Sequence, residues 1–188
     1  MLEGVYDKFV DRFLAACPSF PVGDPTHPGT MVNPVIDEAA QQSILGYIEA
    51  GKADGATVAM GGNRVMQDTG GCFIEPTIFT DVDNGSHLAQ EEIFGPVLHV
   101  VRFETSVDEV IADINALGYG LTLGVQTRID SRAQRIADRA RVGNVYVNRN
   151  MIGAVVGVQP FGGEGLSGTG PKAGGPHYLY RFCAEQTV

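Results

Sequence analysis

Residues 153–175 hold nine of the chain's 25 glycines in 23 of its 188 positions. Each glycine costs conformational entropy inside a regular element, so this density leaves no room for a helix and little for a strand. A shaped loop is expected. Backbone without side chains approaches a ligand closely and offers its N–H groups, which suits a site wall that grips a small anion or a polar headgroup. The alternative is a plain surface loop, although long loops in compact domains are usually functional or disordered. Two motif matches inside the stretch fail on context. Gly163-Glu164-Gly165-Leu166-Ser167-Gly168 spells G-x-G-x-x-G, but Pro171 and the glycines after it exclude the helix a dinucleotide fingerprint needs. Gly170 is followed by Pro171-Lys172, where a phosphate-binding P-loop requires Gly-Lys-Ser/Thr.

The length suffices for one good core, and 44% hydrophobic residues with mean hydropathy near zero indicate a soluble globular chain. A net charge of −9 without any basic run argues against nucleic acid or an anionic membrane as partner. No apolar run is long enough to span a bilayer, and the N-terminus lacks signal-peptide character. Three widely spaced cysteines suit a reducing cytoplasm better than a disulfide framework. His27, His87, His99 and His177 show no metal-ligand spacing, so no metal site is expected.

Residues 2–16 carry apolar side chains at Leu2, Val5, Phe9 and Phe13, and again at Tyr6, Val10 and Leu14, a helical stripe that Pro18 stops. A turn-rich segment precedes a second helix over residues 37–52, with Ile44, Leu45 and Ile48 on one side. Residues 57–60 read as a short strand closed by Gly61-Gly62. Residues 73–80 read as another, with Pro76 marking an edge or bulge. From Pro96 the pattern becomes regular. A strand at 97–103 leads to the capping box Ser106-Val107-Asp108-Glu109 and its helix, then a strand at 121–127. A helix capped by Asp130 or Ser131 and a strand at 144–148 follow. Strand, helix, strand, helix, strand predicts an α/β fold with a mostly parallel sheet flanked by helices. Ligands in such sheets lie beyond the strand C-termini, and the glycine-rich loop follows the last strand directly.

Glu91-Glu92-Ile93-Phe94-Gly95-Pro96-Val97, with Pro160-Phe161-Gly162-Gly163 and Ser167-Gly168 at fitting spacing, resembles the C-terminal half of the aldehyde dehydrogenase superfamily. Between residues 118 and 180, Gly-Tyr-Gly-Leu-Thr-Leu-Gly-Val-Gln-Thr-Arg-Ile-Asp, Gly-Asn-Val-Tyr-Val-Asn-Arg-Asn and Gly-Gly-Pro-His-Tyr resemble one branch in particular. That branch is L-glutamate γ-semialdehyde (pyrroline-5-carboxylate) dehydrogenase, especially the form fused to proline dehydrogenase in bacterial proline utilization A. The resemblance is specific from about residue 90 onward.

The resemblance implies NAD as cofactor and roles for residues present in the chain. Glu92 matches the glutamate that holds the ribose hydroxyls of the nicotinamide nucleoside, as a carboxylate accepting two hydrogen bonds can. Its bland alternative is a solvated helix-end charge, the role expected for Glu91. Phe94 matches a residue packing near the nicotinamide, or else is core. Gly153 and Ala154 match an anchor loop whose N–H groups bind the α-carboxylate of the semialdehyde. Phe161 matches the aromatic against the substrate's methylene chain. The family's cysteine nucleophile and glutamate base are expected upstream of residue 1, with the nucleotide-binding domain. Cys17, Cys72 and Cys183 lack the nucleophile's context and are expected to be structural, so no catalytic residue is assigned.

The resemblance therefore implies a catalytic-domain portion over residues 1–180 and a tail over 181–188 that supplies an oligomerisation strand in a cytoplasmic homo-oligomer. Taken alone, the chain is expected to be inactive. Two alternatives stay open: a non-catalytic assembly module derived from a dehydrogenase, or a portion of an enzyme for another aldehyde.

Overall fold

A computed structural model describes residues 1–104, 106–155, 157–168 and 172–187, without the side chain of Arg181. The Gly170-Pro171 step and Val188 at the end of the tail lie outside the described residues. The chain groups into two compact units, Met1–Glu104 and Thr105–Val188.

In the first unit, helix α1 spans Glu3–Ala16 and gives way to a 3-10 turn, Cys17–Ser19, where Pro18 has no N–H to continue the ladder. Helix α2, Glu38–Ala53, starts at Asp37, whose carboxylate accepts the Ala40 N–H at 2.7 Å. Then come strands β1 (Thr57–Met60), β2 (Arg64–Val65), β3 (Phe73–Ile74) and β4 (Thr77–Thr80), the short helix α3 (His87–Gln90) and β5 (Val97–His99). β4 is central in a three-stranded sheet, antiparallel to β1 and parallel to β5, while β2 and β3 form a separate antiparallel pair. Pro76 does interrupt the expected 73–80 strand, but the half after it is central rather than an edge. The break falls where the carbonyl of Pro76 lies against Gly61, too close for any Cβ there.

Ile44, Ile48, Ile74, Phe79, Val82 and Leu88 form the main core of this unit. Tyr6, Cys17, Ile78 and Val100 form a second cluster. Only part of the α1 stripe is covered: Tyr6 is buried with Val10, Phe13 and Leu14 around it, whereas Val5 and Phe9 remain 54% and 42% exposed.

In the second unit, α4 (Val107–Ala116) opens with the expected capping box, Ser106 accepting from Glu109 N–H and Glu109 from Ser106 N–H. β6 (Tyr119–Gly120), β7 (Thr122–Val125), α5 (Asp130–Arg139), β8 (Asn144–Val147) and β9 (Glu164–Gly165) follow, then a 3-10 segment, Tyr178–Phe182. β7 and β8 pair in parallel across the α5 crossover, from Thr122 opposite Asn144 to Val125 opposite Val147. β6 and β9 pair antiparallel. Ile111, Val125 and Ile136 make the core. Neither Asp130 nor Ser131 caps α5: the N-cap is Ile129, without a side-chain bond, and Asp130 is already the first helical residue.

The α/β class is as expected, but the sheets are small and mixed, because pairing is parallel only at β4/β5 and β7/β8. Residues 183–187 of the tail pair with no strand among the described residues. No described helix is long and apolar enough to cross a membrane.

Candidate active site

Two sets of residues are candidates for the site, one in each unit. In the first unit, α3 ends at Gln90 and the chain turns through residues 91–96 before β5. Glu91 is not merely solvated, as the sequence suggested: its carboxylate accepts the Tyr47 hydroxyl at 2.7 Å. That bond, with partial desolvation and the carboxylate charge, raises the Tyr47 pKa above its ordinary value. Ile93 packs on the main core, and Gly95 lies directly on Ile44.

Between these anchors the Glu92 carboxylate is exposed, and Phe94 is held at φ 57° with 87% of its surface open. A left-handed backbone is strained for a bulky residue and persists where the surroundings over-determine it. The surroundings here are bonds on the far side of the turn: Val97 N–H to Gly95 carbonyl and Thr77 N–H to Pro96 carbonyl, both 2.8 Å. Phe94 is therefore not core. Glu92 and Phe94 share a cavity of about 460 Å³ with Val35, Ile36, Ser43 and Tyr47. Sequence reading missed Ser43 and Tyr47. Their signal was present, since both occupy one face of α2 one turn apart, beside the apolar face that marked the helix.

In the second unit, β8 delivers the chain into the glycine-rich stretch. Asn148 leaves the strand at φ 55°, and its side-chain amide accepts the Thr127 N–H at 2.9 Å and donates to the Thr127 carbonyl at 2.8 Å. Asparagine tolerates the left-handed region better than most residues. Tyr146 is buried on β8 and its hydroxyl donates to the Gly153 carbonyl at 2.8 Å. Gly153 turns at φ 57°, and among the described residues neither its N–H nor that of Ala154 donates to another group of the chain.

Phe161 is clamped by a two-bond bridge to Ala173, at 3.0 and 2.8 Å. Asn144 donates to the Pro160 carbonyl at 2.9 Å, and the Lys172 ammonium donates to the carbonyls of Gly143 and Gly162 at 2.6 and 2.8 Å. The Gly162 carbonyl approaches Gly143 too closely to leave space for a Cβ at position 143. The loop is thus irregular but built, with specified donors and acceptors. Such an arrangement can offer N–H groups to a carboxylate.

None of the cysteines lines the Glu92 cavity. Cys17 is buried, which pushes its thiol pKa up, away from the reactive thiolate; Cys72 is half-buried and Cys183 exposed.

The sequence pattern described as the aldehyde dehydrogenase family matches residues 1–188. The chain belongs to the aldehyde dehydrogenase family. Among family members, it is 43% identical over 186 residues to 1-pyrroline-5-carboxylate dehydrogenase of Bacillus subtilis, covering 99% of this chain and 35% of that protein. A crystal structure of a Bradyrhizobium japonicum proline utilization A variant superposes with a TM-score of 0.90 at 50% identity, covering 100% of this chain and 19% of that one. An aldehyde dehydrogenase of Mycobacterium tuberculosis complexed with NAD+ superposes with a TM-score of 0.82 at 36% identity, over 92% of this chain and 35% of that one. The chain thus spans about a third or less of the length of these aldehyde dehydrogenase relatives. These likenesses establish the α/β aldehyde dehydrogenase fold for the chain.

Proposed function

We propose that this chain carries the carboxylate-anchoring and part of the nicotinamide-nucleoside-binding surface of an NAD-dependent L-glutamate γ-semialdehyde dehydrogenase, which oxidises the semialdehyde to glutamate in proline catabolism. The observation that carries the proposal is the Gly153 turn. Tyr146 holds it by the carbonyl, and the adjacent N–H groups of Gly153 and Ala154 are left without a described acceptor. Successive backbone N–H groups in such a turn can stabilise an anion such as an α-carboxylate. Phe161 supplies the apolar surface for the methylene chain. A proline utilization A and a 1-pyrroline-5-carboxylate dehydrogenase among the similar proteins support this substrate class over other aldehydes.

The residues around the first-unit cavity suit a nucleoside. The exposed Glu92 carboxylate can accept ribose hydroxyls, and the open face of Phe94 can lie against a planar ring. Bound there, NAD+ would act as the hydride acceptor. The chain's own contribution is to orient. Neither a nucleophilic cysteine in the family's context nor the general base is assigned within these residues, so the 188-residue chain alone is expected to leave aldehyde unoxidised.

An assembly role is favoured by one specific feature: Leu179, Tyr180 and Phe182 are each 70% or more exposed where the tail begins. Clustered apolar side chains of this kind suit a partner surface, which a second copy in a cytoplasmic homo-oligomer would supply.

One preparation tests both readings. The purified chain is mixed with NAD+ and the semialdehyde and followed by NADH absorbance, then its melting is recorded against L-glutamate. No turnover and a melting temperature that rises with glutamate are expected. Turnover well above a heat-killed control would refute the missing nucleophile, and a flat melting curve would favour the assembly module.

A further inference from the structure

Arg149 lies two residues beyond the end of β8, on the approach to the anchor loop. Its guanidinium lies over the Tyr146 ring, 4.4 Å from the centroid. That same ring ends in the hydroxyl that donates to the Gly153 carbonyl. One buried aromatic thus carries a cation on its face and the turn of the anchor loop on its tip. Arg149 Nε donates to the Asn150 carbonyl at 3.1 Å, and the Arg149 backbone carbonyl accepts from the Gln126 side chain at 3.1 Å. Yet its charge is not neutralised. Arg149, half-buried, pairs with no carboxylate among the described residues and donates no described hydrogen bond from its two terminal nitrogens. In a chain of net charge −9, a stacked guanidinium that pairs with no carboxylate among the described residues, and that is linked through one buried aromatic to the Gly153 turn, can receive an anion.

We infer that Arg149 is a specificity-determining residue: its guanidinium supplies the full positive charge that makes the Gly153–Ala154 anchor select carboxylate-bearing aldehydes over neutral ones. Backbone N–H groups alone bind a carboxylate and an amide carbonyl with modest preference, because both present oxygen acceptors. A guanidinium separates them, because only the carboxylate is charged and can accept a two-pronged bond. This inference rests on the anchor-loop function proposed above and adds to it the group that recognises charge.

The test uses the 188-residue chain and two ligands, L-glutamate and L-isoglutamine, in which the α-carboxylate is replaced by an amide. Calorimetric titrations are compared for wild type, Arg149→Met and Arg149→Lys, with melting curves of the free proteins confirming that each is folded. The wild type is expected to bind glutamate about tenfold or more tightly over isoglutamine, the scale of one charge-assisted hydrogen bond. Arg149→Met should bind both ligands alike, and Arg149→Lys should recover most of the preference. A merely structural role would weaken both ligands equally and leave their ratio intact. Wild-type preference that persists in Arg149→Met overturns the inference while leaving the anchor loop standing. Failure of the wild type to bind glutamate at all overturns the anchor loop and this inference together.

Discussion

Gly95 lies on the side chain of Ile44 so closely that a Cβ at position 95 would come within 2.6 Å of Ile44 Cδ1 and 2.8 Å of Cγ1. Ile44 is 1% exposed and belongs to the main core of the first unit. This contact seats the turn that presents Glu92 and Phe94. Replacing Gly95→Ala should cost about 1–3 kcal/mol through overpacking. Urea unfolding followed by circular dichroism checks it, and an unchanged midpoint would mean the turn does not rest on the core.

The Tyr47–Glu91 hydrogen bond should be visible in the phenol's titration. The bond from Glu91 raises the Tyr47 pKa, so the folded state favours the protonated phenol. Its stabilisation is complete below the unfolded value of about 10 and disappears as pH rises through the higher folded value. Difference absorbance of wild type against Tyr47→Phe isolates this residue. In Glu91→Gln the titration should move back toward the ordinary value. A titration that does not respond to Glu91 would dissociate the pair.

Acid should act on the second unit through Asp108. Partial desolvation works to raise its pKa, but the hydrogen bond from Arg139 and the charges of Arg135 and Arg139 outweigh it and hold the carboxyl low. The pair's contribution is therefore present above the unfolded value of about 3.9 and is lost as pH falls through the lower folded value. Stability curves of wild type and Asp108→Asn should converge on acidification. A constant gap across that range would contradict the ion pairs.

The loop that carries Phe161 depends on Lys172. Its ammonium joins the Gly143 and Gly162 carbonyls, and Lys172→Met would leave both acceptors with poorer partners. A loss of about 1–3 kcal/mol is expected, the range for buried groups left unsatisfied. Chemical denaturation reads it. A neutral substitution would show that solvent replaces the ammonium.

Much of the scaffold was legible because its signals are local. The apolar face of α2 lies within one segment, and the Ser106–Glu109 box is spelled in four consecutive residues. Glycine density announced the irregular 153–175 stretch for the same reason. What escaped depends on groups distant in sequence. Pro76 gave the break but not the centrality of β4, which is decided by pairing with both β1 and β5. The stripe of α1 predicted burial all along one face, yet Val5 and Phe9 are exposed because the described residues of the unit place nothing over them. The candidate site divided the same way: Glu92, Phe94, Gly153, Ala154 and Phe161 were proposed through motifs. Tyr47 and Tyr146, which hold the two turns, became evident only through hydrogen bonds to Glu91 and Gly153. A tyrosine's position along a helix or strand carries no local mark of the carbonyl or carboxylate its hydroxyl will reach.

The amide signals of Gly153 and Ala154 offer the most direct view of the central claim. In a ¹⁵N-labelled sample of the chain titrated with L-glutamate, both should shift progressively and saturate together, with Phe161 ring protons responding over the same range. Glutamate that leaves these two amides unmoved at saturating concentration, or that perturbs only residues elsewhere, would contradict a carboxylate-gripping loop.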